Sequence, residues 1–385
     1  MSPAATHLKS RLWHFALTVV PVLSALHAYI GWRLLPPLQF GFAGISIGVL
    51  LLGVSTLLIP AGLLARYLIT QQTLADRISA TGSVTMGLFS SVLVLTVLRD
   101  AVLLIARMPA LAEPTAIGVL VAAASFTAIG YVNARRIARV VRVDIPVPNL
   151  PAALDGFTVA QISDIHVGPT IKRDYVEAIV KRVNSLGADL VAITGDVVDG
   201  SVRQLAEHTA PLGELAGRHG VFVVTGNHEY YSGAPAWIKE FRRLGLHVLI
   251  NEHVVIEHKG ARLVLAGVTD YSAHAFDPAQ RSDPQAALKG SPEGLPRVLL
   301  AHQPRSARAA EAAGFDLQLS GHTHGGQFWP WIFFVVLQQP FTAGLHRLGR
   351  LRVYTSRGTG YWGPPKRFGA PSEISLLRLI PESSQ

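Results

Sequence analysis

Eight side chains in the second half of the chain could carry chemistry together: Asp164, His166, Asp196, Asn227, His228, His302, His322 and His324. They occur in five short motifs, Asp164-Ile165-His166, Gly195-Asp196-Val197-Val198-Asp199, Gly226-Asn227-His228-Glu229, Ala301-His302 and Gly321-His322-Thr323-His324. Two divalent ions about 3.5–4 Å apart can hold a hydroxide between them and neutralise charge on a phosphate under attack. Such a pair needs a bridging carboxylate, hard oxygen donors and neutral imidazoles. Asp196 is the natural bridge, and Asp164, His166, Asn227, His302, His322 and His324 complete two nitrogen-and-oxygen ligand sets. Without sulfur the sets accept Mn²⁺, Fe, Zn²⁺ or Co²⁺. The chain has no cysteine, so disulfides and thiolate ligands are excluded while the compartment stays open.

The elements that must position these residues begin at Phe157. Phe157–Ser163, Leu190–Thr194, Val221–Thr225 and Val298–Ala301 have the length and apolar content of buried strands. Asp174–Leu186 and Val202–Ala216 read as helices between the first three, predicting a mostly parallel βαβαβ start. Each motif directly follows one of these strands or the short run Leu317–Ser320. Ligands of open α/β sheets collect at the carboxyl ends of strands, so the motifs converge on one rim. Glycines before Asp196, Asn227 and His322 suit sharp turns there. Leu246–Ile250, Val254–Glu257 and Arg262–Gly267 are only hairpin-sized, which leaves the rim open to a bulky substrate.

The first 140 residues differ in kind. Four apolar stretches, roughly Trp13–Trp32, Phe40–Leu64, Val84–Ala106 and Thr115–Val132, each have about the twenty residues that cross a hydrocarbon core. Four in succession exclude a signal peptide. Arg99 and Asp100 inside the third read as a neutralising pair or as a break in that helix. Lys9, Arg11, Arg66, Arg77, Arg135, Arg136, Arg139 and Arg142 flank one side of the spans, and Arg33 and Arg107 the other. The excess of positive charge puts the N-terminus and everything after residue 135 in the cytoplasm of a multi-pass cell-membrane protein. The net charge of +9 belongs mainly here: residues 1–139 carry ten Lys/Arg against three Asp/Glu, and the remainder is close to neutral. That distribution argues against a nucleic-acid partner, which needs a basic surface. The expected organisation is a transmembrane helical domain (1–140), a proline-rich extended linker (141–156) and a catalytic domain (157–385).

Taken in order, the motifs resemble the signature of the calcineurin-like metallophosphoesterases over about Phe157–Leu379. The N-terminal helices, Asn149-Leu150-Pro151, Ser163-Asp164-Ile165-His166, Gly321-His322-Thr323-His324-Gly325-Gly326-Gln327 and Pro371-Ser372-Glu373-Ile374 are similar to its YkuE/YaeI-like membrane-associated branch. The resemblance implies a four-layer αββα sandwich with two mixed sheets. It implies one metal on Asp164, His166, Asp196 and His324, and a second on Asp196, Asn227, His302 and His322. His228 then faces the substrate, as general acid or as cationic stabiliser of the phosphoryl group. His228 and Asn227 are the expected catalytic residues, Asn227 also being a ligand. Asp199 is expected to orient a ligand or cap the next helix, not to bind metal.

Two features stand outside that scheme. Phe328–Leu337, an aromatic run too short to span a bilayer, begins four residues after His324 and reads either as an interfacial segment or as a buried loop or dimer contact. His208, His219, His247, His253, His258, His274 and His346 lack ligand partners at useful spacing and read mostly as solvated residues, with His274, in the loop Asp270–Pro278, as the candidate to reach substrate. The expectation is a membrane-anchored binuclear-metal phosphoesterase whose substrate is tilted toward a lipid-linked phosphate ester or pyrophosphate. The alternatives are a nuclease or nucleotide phosphodiesterase, or a transporter or receptor with a hydrolase effector domain.

Overall fold

The computed structural model describes residues 3–382, with side chains from residue 17 onward. By compactness the chain divides into two units, one running to Tyr131 and including Gly363–Lys366, the other holding Val132–Trp362 and the chain from Arg367.

The first unit contains α1 (Pro3–Leu34), α2 (Gly41–Leu68), α3 (Gln72–Ala106) and α4 (Ala112–Arg135). Among the described residues, four helical segments are long and apolar enough to cross a membrane: Leu17–Leu38, Gly41–Leu68, Gln72–Ala106 and Pro109–Arg135. Lys9, Arg11 and the start of the first expected span lie outside the described side chains. The third helix begins at Gln72 and not at Val84, because apolarity marks where hydrocarbon could begin and not where helical hydrogen bonding starts. Helices α2 and α3 meet backbone to backbone: a Cβ on Gly82 would stand 2.6 Å from the Leu58 carbonyl oxygen and 2.7 Å from Gly62 Cα. Ser79 Oγ donates to the Gly62 carbonyl at 3.0 Å. Small residues and one hydroxyl therefore replace the hydrophobic drive that lipid cannot supply. Arg99 and Asp100 do not break α3. Asp100 accepts from Tyr29 Oη (2.7 Å), Arg33 Nε (2.7 Å) and Arg99 Nη1 (3.1 Å), and Arg99 also donates to the Ala112 carbonyl (2.8 Å). The pair thus ties α1, α3 and α4 together.

The second unit contains two six-stranded sheets. Their strands are β1 (Arg139–Val147), β2 (Thr158–Ile162), β3 (Leu190–Thr194), β4 (Val221–Val224), β5 (His247–Val248), β6 (Glu252–His258), β7 (Ala261–Gly267), β8 (Arg297–Leu300), β9 (Leu317–Ser320), β10 (Gly344–Leu348), β11 (Leu351–Thr355) and β12 (Glu373–Pro381). The orders are β1-β12-β2-β3-β4-β5 and β10-β11-β9-β8-β7-β6. Both sheets are mixed: β2, β3, β4 and β5 run parallel and β12 antiparallel to β2, while β7, β8, β9 and β11 run parallel between the antiparallel edges β6 and β10. Alternation along each strand builds the layers. Leu190 and Ala192 face a core shared with Leu263, Leu265, Val298, Leu300, Leu317 and Leu319 between the sheets. Val191 and Ile193 face Val176, Ile179, Val180, Leu205, Trp237 and Phe241 of the helices α5 (Arg173–Asn184), α6 (Val202–Thr209) and α8 (Ala234–Arg243). Leu299 and Val353 face Ala287, Ala307 and Ala310 of α9 (Pro284–Ala287) and α10 (Ala307–Ala313). The result is an αββα sandwich.

Two sequence expectations differ in detail. Residues 139–147, read partly as an extended linker, form strand β1 in parallel register with β12. Pro146 is tolerated because β1 is an edge strand, where a missing N–H need not cost a ladder bond. The helix expected to reach Ala216 stops at Thr209 and tightens into a 3₁₀ segment, Ala210–Glu214, because Pro211 cannot continue an α-helix.

Asp189 fixes the entry to β3 against β2. Its carboxylate accepts from the Thr158 N–H (2.8 Å), the Thr158 hydroxyl (2.8 Å) and Arg218 Nη1 (3.1 Å). Burial pushes the carboxyl upward, but these donors win and hold it below the ordinary aspartate range. A depressed folded value means stability that is present above the unfolded pKa of about 3.9 and lost as pH falls through the folded one. Asp189→Asn is expected to cost about 1–2 kcal/mol near neutrality, with the gap to wild type closing below about pH 4. Thermal melts across that range check it, and a gap independent of pH contradicts the account.

Candidate metal centre

The strand ends bring seven of the eight predicted residues into three overlapping clusters whose donor atoms lie within 4.8 Å of one another: Asp164, His166 and His324; His166, Asp196 and His228; Asp196, His302 and His322. Asn227, the eighth, opens helix α7 (Asn227–Ser232) directly after Gly226, which abuts Asp196. Asp196 is common to two clusters. Its Oδ2 is 3.1 Å from His302 Nε2 and 3.9 Å from both His166 Nε2 and His228 Nε2. The other close approaches are His166 Nε2 to His324 Nε2 (3.1 Å), His302 Nε2 to His322 Nδ1 (3.1 Å) and His324 Nε2 to Asp164 Oδ1 (3.5 Å). Nitrogens this close must share a proton or a cation.

Local backbone conformation aims these side chains. Asp164, His166, Asp196, His322 and His324 all have φ between 50° and 70°. Such values are uncommon outside glycine and collect at functional sites. The flanking glycines act partly otherwise than expected. Gly195 has φ +86°, but Gly226 and Gly321 are needed for space: a Cβ would stand 2.2 Å from Asp196 Oδ1 at the first and 2.0 Å from Ser163 Oγ at the second.

Hydrogen bonds set the tautomers. His302 Nδ1 donates to the Thr194 carbonyl at 2.7 Å, which turns Nε2 toward Asp196. Asp199 Oδ1 accepts from His166 Nδ1 (3.2 Å) and His228 Nδ1 (2.5 Å), turning both Nε2 atoms inward. Asp199 therefore orients two imidazoles, while the helix cap falls to Ser201, paired with Gln204 in a capping box. Glu229, to which the sequence assigned no role, is fully buried and accepts N–H groups of Asp196 (2.9 Å), Val197 (2.7 Å), Val198 (3.3 Å) and Gly226 (2.6 Å). It clamps the Asp196 loop to the Asn227 loop, and its place in the fourth-residue position of the Gly-Asn-His-Glu motif was the available signal. Arg367 is the second omission. It is buried, donates to His324 Nδ1 (2.9 Å) and to the carbonyls of His324 (3.0 Å) and Arg357 (2.9 Å), and no motif marks it.

The charges are strongly interdependent. Burial lowers His228, but Asp196 and Asp199 beside it override that and push it up to about 9. Burial likewise opposes ionisation of Asp199, yet the His166 and His228 charges hold it low. His302 is raised against burial by Asp196 and Asp164. His322 is pushed down to about 3 by burial and by His302, and His324 falls through burial and Arg367. Glu229 rises to about 7 through burial and the Asp196 charge.

The residues fit divalent cations on an independent observation: the Asn227 carboxamide oxygen is buried with no hydrogen-bond partner, a cost that a cation would remove. With two carboxylates and four or more imidazoles around it, the donor set is the nitrogen-and-oxygen type that borderline divalent metals take.

The remaining sequence candidates lie elsewhere. His274 bonds the Tyr271 carbonyl in its own loop at 3.1 Å, His253 bonds the Ala287 carbonyl at 2.8 Å, and His219 and His258 bond each other at 2.9 Å. His258 is buried, contrary to a solvated reading. The aromatic run folds as two 3₁₀ turns, Trp331–Phe333 and Val335–Leu337. Its first residue, Phe328, is buried, while within the turns Phe333 is 64% and Leu337 80% exposed.

A family model described as calcineurin-like phosphoesterase matches residues 157–326. The chain is 38% identical over 268 residues to a transmembrane protein with metallophosphoesterase domain from Danio rerio, covering 68% of this chain and 61% of that protein. It is 32% identical over 244 residues to an uncharacterized metallophosphoesterase of Aquifex aeolicus, covering 63% of this chain and 91% of the other. Against the uncharacterized metallophosphoesterase YkuE of Bacillus subtilis the identity is 27% over 245 residues, with 60% and 81% covered. The chain thus spans about three-fifths of the length of the vertebrate relatives that it matches. With its motifs gathered at the strand ends of an αββα sandwich and nine-tenths of the Aquifex relative covered, the chain belongs to the calcineurin-like phosphoesterase family.

Proposed function

We propose that this chain is a membrane-anchored binuclear-metal phosphoester hydrolase acting on a lipid-linked phosphate ester or pyrophosphate. The observation that carries the hydrolase reading is the convergence of Asp164, His166, Asp196, His302, His322 and His324 on one rim with the unpartnered oxygen of Asn227. One ion would be held by Asp164, His166, Asp196 and His324, and a second by Asp196, Asn227, His302 and His322. When bound, such a pair supplies Lewis acidity toward the phosphate and a water of lowered pKa. The protein supplies the rest. Asp199 holds His228 by Nδ1, so the free Nε2 presents a proton to the departing oxygen. Glu229 holds the backbone of the Asp196 loop against the Asn227 loop, which keeps the carboxylate where both sets need it.

The lipid-linked reading rests on the four apolar helices and on Trp331, Phe333, Phe334, Val336 and Leu337, which expose apolar side chains a few residues beyond His324. Exposed apolar patches of this kind mark interaction surfaces, and in a chain with membrane spans the bilayer surface is the partner at hand. The catalytic unit is assigned to the cytoplasm from the positive-charge bias, Lys9, Arg11, Arg66, Arg77, Arg135, Arg136, Arg139 and Arg142 against Arg33 and Arg107.

Four expectations follow from this reading. In detergent-purified protein with Mn²⁺, Asp196→Asn abolishes hydrolysis and lowers the bound metal measured by elemental analysis. His228→Gln loses about 10²–10⁴-fold on alkyl esters and much less on a nitrophenyl ester, whose leaving group needs no proton. Full activity of Asp196→Asn contradicts the site. Trp331→Ser with Phe333→Ser lowers activity on vesicle-borne lipid phosphates and spares a soluble ester, and equal effects on both contradict interfacial contact. Because the chain lacks cysteine, single replacements report sidedness: in right-side-out vesicles an impermeant maleimide labels Met108→Cys and not Lys259→Cys. The reverse pattern places the catalytic unit outside.

A further inference from the structure

The role assigned to His228 fixes where the alcohol side of the ester must lie. With Nδ1 bonded to Asp199 at 2.5 Å, only Nε2 is free to protonate the leaving oxygen. In the balanced step a water oxygen bonds to phosphorus and releases a proton to solvent, the bond from phosphorus to the alcohol oxygen breaks with its electron pair passing to that oxygen, which takes the His228 proton, and His228 regains a proton from solvent. The organic part of the substrate must therefore extend outward from His228.

Three exposed aromatic residues stand there. The Tyr231 ring is 5.1 Å from that of His228 at 69°, and the Trp362 ring is 5.7 Å away at 73°. Phe276 continues the wall at 5.6 Å from Tyr231 and 58°. Exposures of 56% for Tyr231, 51% for Trp362 and 51% for Phe276 leave these rings open to solvent beside a polar centre. Sites for organic ligands have this make-up, apolar walls with few convergent polar groups. The wall is also held in place. The Gln327 carboxamide accepts the Trp362 N–H at 2.9 Å and donates to the Trp362 carbonyl at 2.8 Å, so the segment carrying this ring is fixed before substrate arrives. Preorganisation of this kind lowers the cost of binding.

We propose that Tyr231, Trp362 and Phe276 form the leaving-group subsite and that it takes a hydrocarbon chain on the alcohol side of the phosphate ester. This rests on the reading of the site as a phosphoester hydrolase. Tilted and edge-on rings offer edges and partial faces along which a flexible chain can lie, whereas a nucleobase is best held flat against an aromatic face.

The test uses the full chain in detergent with Mn²⁺ and compares ethyl with octyl phosphate, together with their methyl diesters and adenosine monophosphate. Wild type is expected to favour octyl over ethyl by at least about tenfold in kcat/KM, each added methylene buried being favourable. In Tyr231→Ala with Trp362→Ala that ratio falls toward one, while Trp362→Phe retains most of it. Partition into detergent is common to all variants and cancels in the comparison. Calorimetric binding of ethyl- and octylphosphonate to the same proteins gives the ratio without turnover, so an inactive double variant still answers. An octyl-to-ethyl ratio unchanged in the double variant, or near one in an active wild type, overturns the subsite and leaves the hydrolase reading standing. Preference for adenosine monophosphate over octyl phosphate overturns the hydrocarbon assignment. A wild type that hydrolyses none of the esters sinks the hydrolase reading and the subsite with it.

Discussion

The arrangement of the second unit depends on burying the Asp196 carboxylate among imidazoles. Alone, a buried carboxylate would be protonated or would destabilise the fold by several kcal/mol. Here His302 stands 3.1 Å away, His166 and His228 stand 3.9 Å away, and the His228 N–H donates to Oδ1 at 2.8 Å. A second carboxylate, Glu229, lies alongside with four backbone N–H groups directed at it. Removing any of these partners would leave two acids competing in one dry place. The loops after β3 and β4 are therefore bound to each other as firmly as the strands are, and the register of the first sheet becomes a condition of the site.

Much of this was legible in the residues, because the constraint is carried by types that few other roles require. Aspartate, histidine and asparagine directly after short apolar runs are rare unless something at the strand ends needs them, so the strands, their parallel order and the eight residues could be read together. β3 (Leu190–Thr194) and β9 (Leu317–Ser320) fall where apolar runs bounded by turn residues put them. What could not be read was anything decided by long-range approach. The parallel pairing of β1 with β12 joins residues more than 230 positions apart, and nothing local in Val-Asp-Ile-Pro-Val distinguishes an edge strand from a linker. Arg367 reaches His324 across 43 residues through a buried guanidinium that sequence would place on the surface. Gly226 and Gly321 looked like turn residues, yet their reason is the side chains crowding them.

The aromatic residues divide along the same line. Trp237 and Phe241 are wholly buried on the helical side of the first sheet, where their spacing on α8 places them. Tyr231, Trp362, Phe276 and the Trp331–Leu337 turns are left partly or largely in solvent. A water-facing rim of that composition has no folding rationale, since the core is already complete on both faces of each sheet. Its rationale is contact with something apolar. The two groups differ in what they can reach: the first adjoins His228 and meets whatever is attached to a phosphate there, while the turns can contribute only a surface.

The backbone shows what that site costs the fold. Asp164, His166, Asp196, His322 and His324 occupy left-handed conformations, each unfavourable by roughly 1–2 kcal/mol for a residue with a side chain. Five together amount to on the order of 5–10 kcal/mol, comparable to the whole net stability of an ordinary domain. Part of this is relieved because polar residues with short side chains tolerate the region better than others. The remainder has to be over-determined by the surroundings, and the surroundings supply it. All five residues stand within four positions of the end of a buried strand, Asp164 and His166 after β2, Asp196 after β3, and His322 and His324 after β9. Backbone bonds such as Asp164 N–H to the Gly195 carbonyl (3.0 Å) and His166 N–H to the Asp196 carbonyl (3.1 Å) tie these loops to one another. A flexible loop could not hold such conformations without a bound ion. A loop cross-linked between two strands of a close-packed sheet can, and the strain then keeps the donors convergent before any ion or substrate arrives.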